Sequence, residues 1–101
     1  MDITYSGFDW DEGNKNKNLK RHTVTCEEAE EVFFGKPLIY PDTRHSSEEE
    51  KRYVCFGETG AGKTLFVAFT LRGDRVRVIS ARPMSQKERS WYVEEKKKHS
   101  H

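Results

Sequence analysis

The stretch Gly57-Glu58-Thr59-Gly60-Ala61-Gly62-Lys63-Thr64, followed by Leu65-Phe66-Val67-Ala68-Phe69-Thr70, decides the fold. Its first eight residues fit the phosphate-loop pattern G-x-x-x-x-G-K-[ST] without a mismatch. Such a loop holds phosphate because it joins a strand to a helix whose free N-terminal amides and dipole face the anion. Here the following run is β-branched and aromatic, which predicts a strand over 64–71. A nucleotide-hydrolysing domain of that class also needs an acidic residue closing an apolar strand. The next apolar run, Val76-Arg77-Val78-Ile79, closes in Ser80. The octet therefore reads as a hairpin loop, and no nucleotide partner is expected.

Outward from that hairpin, strands are expected at 52–57 and 75–81. Gly73-Asp74 supplies the second tight turn, so neighbours pair as an antiparallel meander. Leu38-Ile39-Tyr40-Pro41 adds a shorter strand, followed by a charged loop, Asp42 to Lys51, that contains His45. Upstream, Thr25 and Glu28 form a capping box, Val24 and Ala29 a staple, and Ala29, Val32 and Phe33 one apolar face, which predicts a helix ended by Gly35 and Pro37. A short, mostly exposed helix precedes it up to His22. Ser85 with Glu88 is a second capping box, predicting a final helix from about Gln86 past Tyr92. The fold class is α+β: a short N-terminal strand, two helices, a meander of about four strands and a C-terminal helix. One domain over 1–95 is expected, with 96–101 as a frayed basic tail.

Composition narrows the function. Charged residues make up 35% of the 101 residues and aromatic ones 12%, too aromatic for a disordered chain. No long apolar run or leader-like start is present, so a cytoplasmic protein without membrane contact is expected. The pair Cys26 and Cys55 lacks metal-type spacing and reads as two small buried thiols. Net charge is only +1, yet residues 72–98 hold nine Lys or Arg against Asp74, Glu88, Glu94 and Glu95. A basic third suits a polyanion or an acidic protein, and equally an ordinary solvated face.

Clustered arginines offer rigid, always charged forks of donors to a phosphate. Strict alternation along 75–82 sends Val76, Val78, Ser80 and Arg82 to one face and Arg75, Arg77, Ile79 and Ala81 to the other. Arg52, Arg72 and Arg82 are then candidates to converge on one surface, against the alternative that glutamates simply pair them. Cutting RNA without a metal also requires a proton acceptor and a proton donor. His22, ending Lys20-Arg21-His22, is the leading proton-transfer candidate, although a helix C-terminus also favours a protonated imidazole structurally. His45 is a weaker one. Glu88 is either a base or only a cap. Lys20, Arg21, Arg77 and Tyr92 are candidate RNA contacts, although core packing is the stronger reading of Tyr92. No cofactor is expected, and His99, His101 and the run Glu48-Glu49-Glu50 do not read as a metal set.

From Phe8 to Tyr92 the chain resembles the BrnT family of type II toxin-antitoxin ribonucleases. The resemblance lies in Phe8-Asp9-Trp10-Asp11 with Asn18-Leu19-Lys20-Arg21-His22, in Glu27-Glu28-Ala29 with Val32-Phe33 and Pro37-Leu38, and in Asp42, His45-Ser46, Glu49 and Arg52-Tyr53-Val54. Its most specific block is Thr70-Leu71-Arg72-Gly73, then Arg77-Val78-Ile79-Ser80-Ala81-Arg82, Glu88 and Tyr92. It implies a RelE-like fold, general RNA cleavage, growth arrest and inhibition by a BrnA-like antitoxin. It also implies functional positions at His22, Arg52, Arg72, Arg82 and Glu88. The chain departs from the family at Asn14, where lysine is common, at Thr23, where glycine follows the histidine, and at Cys26, where phenylalanine is usual. The first departure is expected to weaken RNA contact and the others to adjust packing. A non-catalytic RNA-binding or interaction module using the same basic face is the competing reading.

Overall fold

In a computed structural model describing residues 3–99, the decisive octet is the turn of a hairpin. It links β3 (Arg52–Glu58) to β4 (Thr64–Arg72), which pair antiparallel from Arg52↔Thr70 to Glu58↔Thr64. The two groups a phosphate would need are already engaged. Lys63 Nζ meets Glu28 Oε2 at 2.7 Å, and the Gly60 amide donates to Glu31 Oε1 at 2.7 Å. Both glutamates belong to helix α2 (Cys26–Phe34), so the loop is latched to a helix by carboxylates where an anion would have to sit.

The other elements are β1 (Gly7–Phe8), α1 (Lys17–His22), β2 (Leu38–Pro41), β5 (Arg75–Pro83) and α3 (Gln86–His99). The sheet order is β1-β5-β4-β3-β2, a four-stranded antiparallel meander with β1 added parallel to β5. The α+β architecture is thus as expected, with β1 making the sheet mixed. Helix α3 continues through the segment expected to fray, as far as His99, while residues 100–101 lie outside the described residues.

Helix α2 begins with the expected capping box, Glu28 N donating to Thr25 Oγ1 at 3.0 Å and Thr25 N to Glu28 Oε1 at 2.9 Å. Such a cap contributes about 1 kcal/mol. Its apolar stripe, Ala29, Val32 and Phe33, packs into one core with Cys55, Leu65, Val67, Phe69, Val76 and Val78. The approach is close: a Cβ on Gly57 would lie 2.7 Å from Val32 Cγ1, so this strand position excludes any side chain. Cys55 is buried as expected, but Cys26 is half-exposed at the helix start, its Sγ donating to Lys15 O at 3.3 Å.

Edge strand β5 has β4 on one side. On the other, β1 covers only Arg75 and Val76, and the polar segment after it finishes the work with side chains. Asn14 Nδ2 donates to Val78 O at 3.1 Å, Lys17 Nζ to Ile79 O at 3.3 Å, and Ala81 N donates to Asn18 Oδ1 at 2.9 Å. Asn14 and Asn18 are each only 5% exposed. Asn14 is therefore a buried edge cap. Thr23 ends α1 in the left-handed region at φ 55°, a conformation that costs a residue with a Cβ.

Two stability outcomes follow from these contacts. Asn18→Ala orphans a buried amide and lowers stability by about 1–3 kcal/mol in urea unfolding, whereas Leu19→Ala beside it, on an exposed side chain, changes stability by less than about 0.5 kcal/mol. Thr23→Gly relieves the backbone and raises stability by about 1 kcal/mol, read as an increase in the unfolding midpoint.

Candidate active site

Strict alternation fails in β5, and the failure gathers the arginines. Phe69 pairs with Val78 but Ala68 with Ser80, leaving Ile79 as an extra, bulged residue. A bulge shifts the phase of alternation beyond it. Val76, Val78 and Ala81 consequently all face the core, while Arg75, Arg77, Ser80 and Arg82 share the opposite face with Arg52 and Arg72. Arginine lies on one face of β5, not on two as alternation predicts.

One face does not mean one point. Arg52, Thr70 and Arg77 form a row across three strands, and Phe56, Phe66 and Arg82 form another, four residues away and so about 13 Å along the strands. Arg52, Arg72, Arg77 and Arg82 each have a carboxylate beside them. Arg52 Nε meets Glu50 at 2.8 Å, and Arg72 lies 3.9 Å from Asp9. Arg77 Nη2 is 2.9 Å from Asp11 and its Nη1 is 3.6 Å from Asp9. At 17% exposure, Arg77 clamps the N-terminal segment and offers little to a ligand. Arg52, Arg72 and Arg82 thus share one surface, as expected, but occupy two separate ends of it.

The Arg82 end is the better organised. Ser85 and Glu88 form the expected cap of α3, with Ser85 N donating to Glu88 Oε1 at 2.8 Å and Glu88 N to Ser85 Oγ at 3.1 Å. Glu88 also accepts Arg82 Nη1 and Nη2 at 2.8 and 2.9 Å. The guanidinium lies 4.3 Å from the Phe66 ring centroid, a cation–π contact that fixes its plane. Glu88 and the Pro83 carbonyl use both Nη1 protons and one on Nη2. A second fork remains, Nε–H with the other Nη2–H, in the side-on geometry that a phosphate accepts. The hydrogen bonds from Arg82 hold the Glu88 carboxyl down at about 2. That makes it an orienting anion and a poor base near neutrality.

His22 is half-exposed at the end of α1. Asn14, Lys17 and Asn18 meet β5 at Val78, Ile79 and Ala81 in turn, so α1 runs in the direction of β5. His22 then lies about 6 Å of helix beyond Asn18, toward the Arg82 end of the sheet. Lys20 and Arg21 are exposed on the same helix. Tyr92 is only 3% exposed; burial pushes its hydroxyl up to about 12, and it packs as core instead of facing RNA. His45 is held by Asp42 at 2.9 Å in the charged loop, and its sequence position alone had suggested chemistry. The bulge, the identity of each carboxylate partner and the aromatic neighbours Phe56, Phe66 and Trp91 are not directly legible in the sequence. Of these, only the every-second spacing of Arg52, Val54 and Phe56 left a visible signal.

Residues 10–88 match a family of ribonuclease toxins of type II toxin-antitoxin systems, which defines the class of protein. The family is described as "Ribonuclease toxin, BrnT, of type II toxin-antitoxin system", and the chain belongs to it. The fold is similar to the crystal structure of the Brucella abortus ribonuclease toxin BrnT, with a TM-score of 0.61 at 24% identity, covering 79% of this chain and 97% of that one. No curated protein matches the chain.

The Arg82–Glu88 pair sets a pH dependence. Its carboxyl titrates below the ordinary glutamate value of 4.5, so its stabilisation is complete above that pH and is lost as pH falls toward about 2. Glu88→Gln costs about 1–2 kcal/mol at pH 7. In thermal melts the gap between variant and wild type should close between pH 4.5 and about 2.

Proposed function

We propose that this toxin is an endoribonuclease that needs no metal, cutting at the Arg82 end of the open sheet face. The 2′-oxygen of the substrate attacks the adjacent phosphorus as it loses its proton, and the 5′-oxygen leaves as it gains one. The products carry a 2′,3′-cyclic phosphate and a 5′-hydroxyl. The extra negative charge on the pentacovalent phosphate is met by the unused fork of Arg82, and such preorganised donors typically supply the largest single part of catalysis. Glu88 and Phe66 hold that fork in place, so the guanidinium does not have to be ordered during the reaction.

His22 accepts the proton of the 2′-hydroxyl and, as the imidazolium, returns it to the departing 5′-oxygen. Arg52 and Arg72, at the far end of the face, hold neighbouring parts of the RNA, and Lys20 and Arg21 add positive field beside His22. The observation that carries this reading is the bidentate Arg82–Glu88 pair stacked on Phe66, which leaves one donor fork open. The cleavage acts on RNA in the cytoplasm and arrests growth, and a BrnA-like antitoxin restrains it by covering the basic face.

The test is cleavage of an end-labelled single-stranded RNA in EDTA by the purified chain, beside Arg82→Ala and His22→Gln. Wild type cuts and yields cyclic-phosphate ends. Arg82→Ala, still folded by circular dichroism, loses at least about 100-fold in rate, and His22→Gln loses a similar factor. Full activity in Arg82→Ala, or loss of wild-type activity in EDTA, refutes the mechanism. Retained RNA binding with no product identifies a binding module instead.

A further inference from the structure

The sheet face opposite the core is open over its middle. Tyr40, Val54, Ala68 and Ser80 are successive cross-strand neighbours there, and all are only half-buried. They form the floor of a trough between two unlike walls. Toward Arg82 stands an aromatic strip, with Phe56 and Phe66 centroids 5.3 Å apart and Trp91 of α3 4.8 Å from Phe56. Trp91 also lies 5.9 Å from Tyr40 and remains 37% exposed. The groove it borders against β3 measures about 580 Å³. Toward the other wall stands Arg52, with Lys17 and Arg77 lining the cavity behind it.

An uncovered aromatic strip on a small domain marks a contact surface. The charge around it states the partner's chemistry. Apolar protein segments would make no use of the open donor fork of Arg82, whereas single-stranded RNA offers π-faces to the aromatic strip and phosphates to the arginines. Phe66 already carries a planar group, the Arg82 guanidinium, at 4.3 Å. The two walls are about 13 Å apart along the strands, well beyond the ~3.4 Å rise between stacked neighbours in one strand. A strand that reaches both crosses the aromatic strip with more than one nucleotide, and an unpaired base there can exchange its neighbours for an aromatic side chain.

We propose that this trough seats one unpaired RNA base, stacked against Trp91 and the Phe66 edge of the strip, while Arg82 and Arg52 take separate phosphates of the same strand at the two walls. The proposal rests on reading the same face as the RNA-cleaving surface, but it concerns binding of the strand and not the proton transfers. Trp91 is thereby a substrate-positioning residue, and the enzyme prefers unpaired over duplex RNA.

The test uses the full chain and a short single-stranded RNA made uncleavable by 2′-O-methylation. Binding should change the Trp91 emission, identified as the part of the signal missing in Trp91→Phe. Trp91→Ala should weaken binding and raise KM roughly 10-fold with kcat unchanged, and Trp91→Phe should restore most of the affinity. Ala68→Glu, which puts a carboxylate on the trough floor without touching the core, should weaken binding at least as much. Arg82→Ala should weaken binding yet keep the emission change at saturating RNA, and should not cleave unmodified RNA, which supports the trough and the catalytic reading together. Wild type that cuts RNA with no change in Trp91 emission overturns the trough alone. Equal response to a duplex of the same sequence, or a response to the cognate antitoxin and none to RNA, also overturns it.

Discussion

The outer edge of β5 is the constraint on which the molecule depends. An exposed strand edge presents unpaired amides and carbonyls, and this one lies beside the core. β1 covers two residues, and then Asn14, Lys17 and Asn18 reach Val78, Ile79 and Ala81 with their side chains. The residues served in this way flank the bulge, where a second regular strand would not fit. Side-chain amides adapt to the irregular spacing, and the strand keeps both its extra residue and its hydrogen bonds. The same contacts anchor α1 and carry His22 to the end of the sheet near Arg82.

The bulge decides the electrostatics in turn. With Ile79 inserted, Arg82 turns to the face that holds Arg52, Arg72 and Arg77, and the core keeps only apolar side chains from β5. Like charges gathered on one face repel, and the chain answers with acids from elsewhere: Asp9 and Asp11 from the N-terminal segment, Glu50 from the charged loop and Glu88 from α3. The excess of acids that brings the net charge down to only +1 lies outside the basic C-terminal third. It also separates roles. Arg77, with little exposure and two aspartates, is structural, whereas Arg82 keeps donors to spare.

The phosphate-loop lookalike shows how context overrides a short pattern. Its glycines and lysine are suited to an anion only when a helix follows, and β-branched and aromatic residues follow here. The loop instead serves packing. Lys63 and the Gly60 amide secure α2 through Glu28 and Glu31, and the helix closes over the sheet where Gly57 lets it approach. Local chemistry was legible in such places because the deciding partners lie within a few residues. Both capping boxes, the hairpins and the apolar face of α2 are of this kind.

By itself the sequence determined the order of elements, the antiparallel meander, the α2 core stripe and the family, since periodicity, caps and turn residues act over one or two turns of chain. The burial of Asn14 and Tyr92 depends on residues brought from elsewhere: Val78 in β5 for Asn14, and the neighbourhood of Cys55 and Glu58 for Tyr92. The division of the arginines into two ends, the pairing of each with its carboxylate and the exposure of Trp91 beside them were likewise decided only in three dimensions. A single extra residue in β5 changes which side chains share a face, and no periodicity within the strand reveals it, because the bulge exists only in the register with β4.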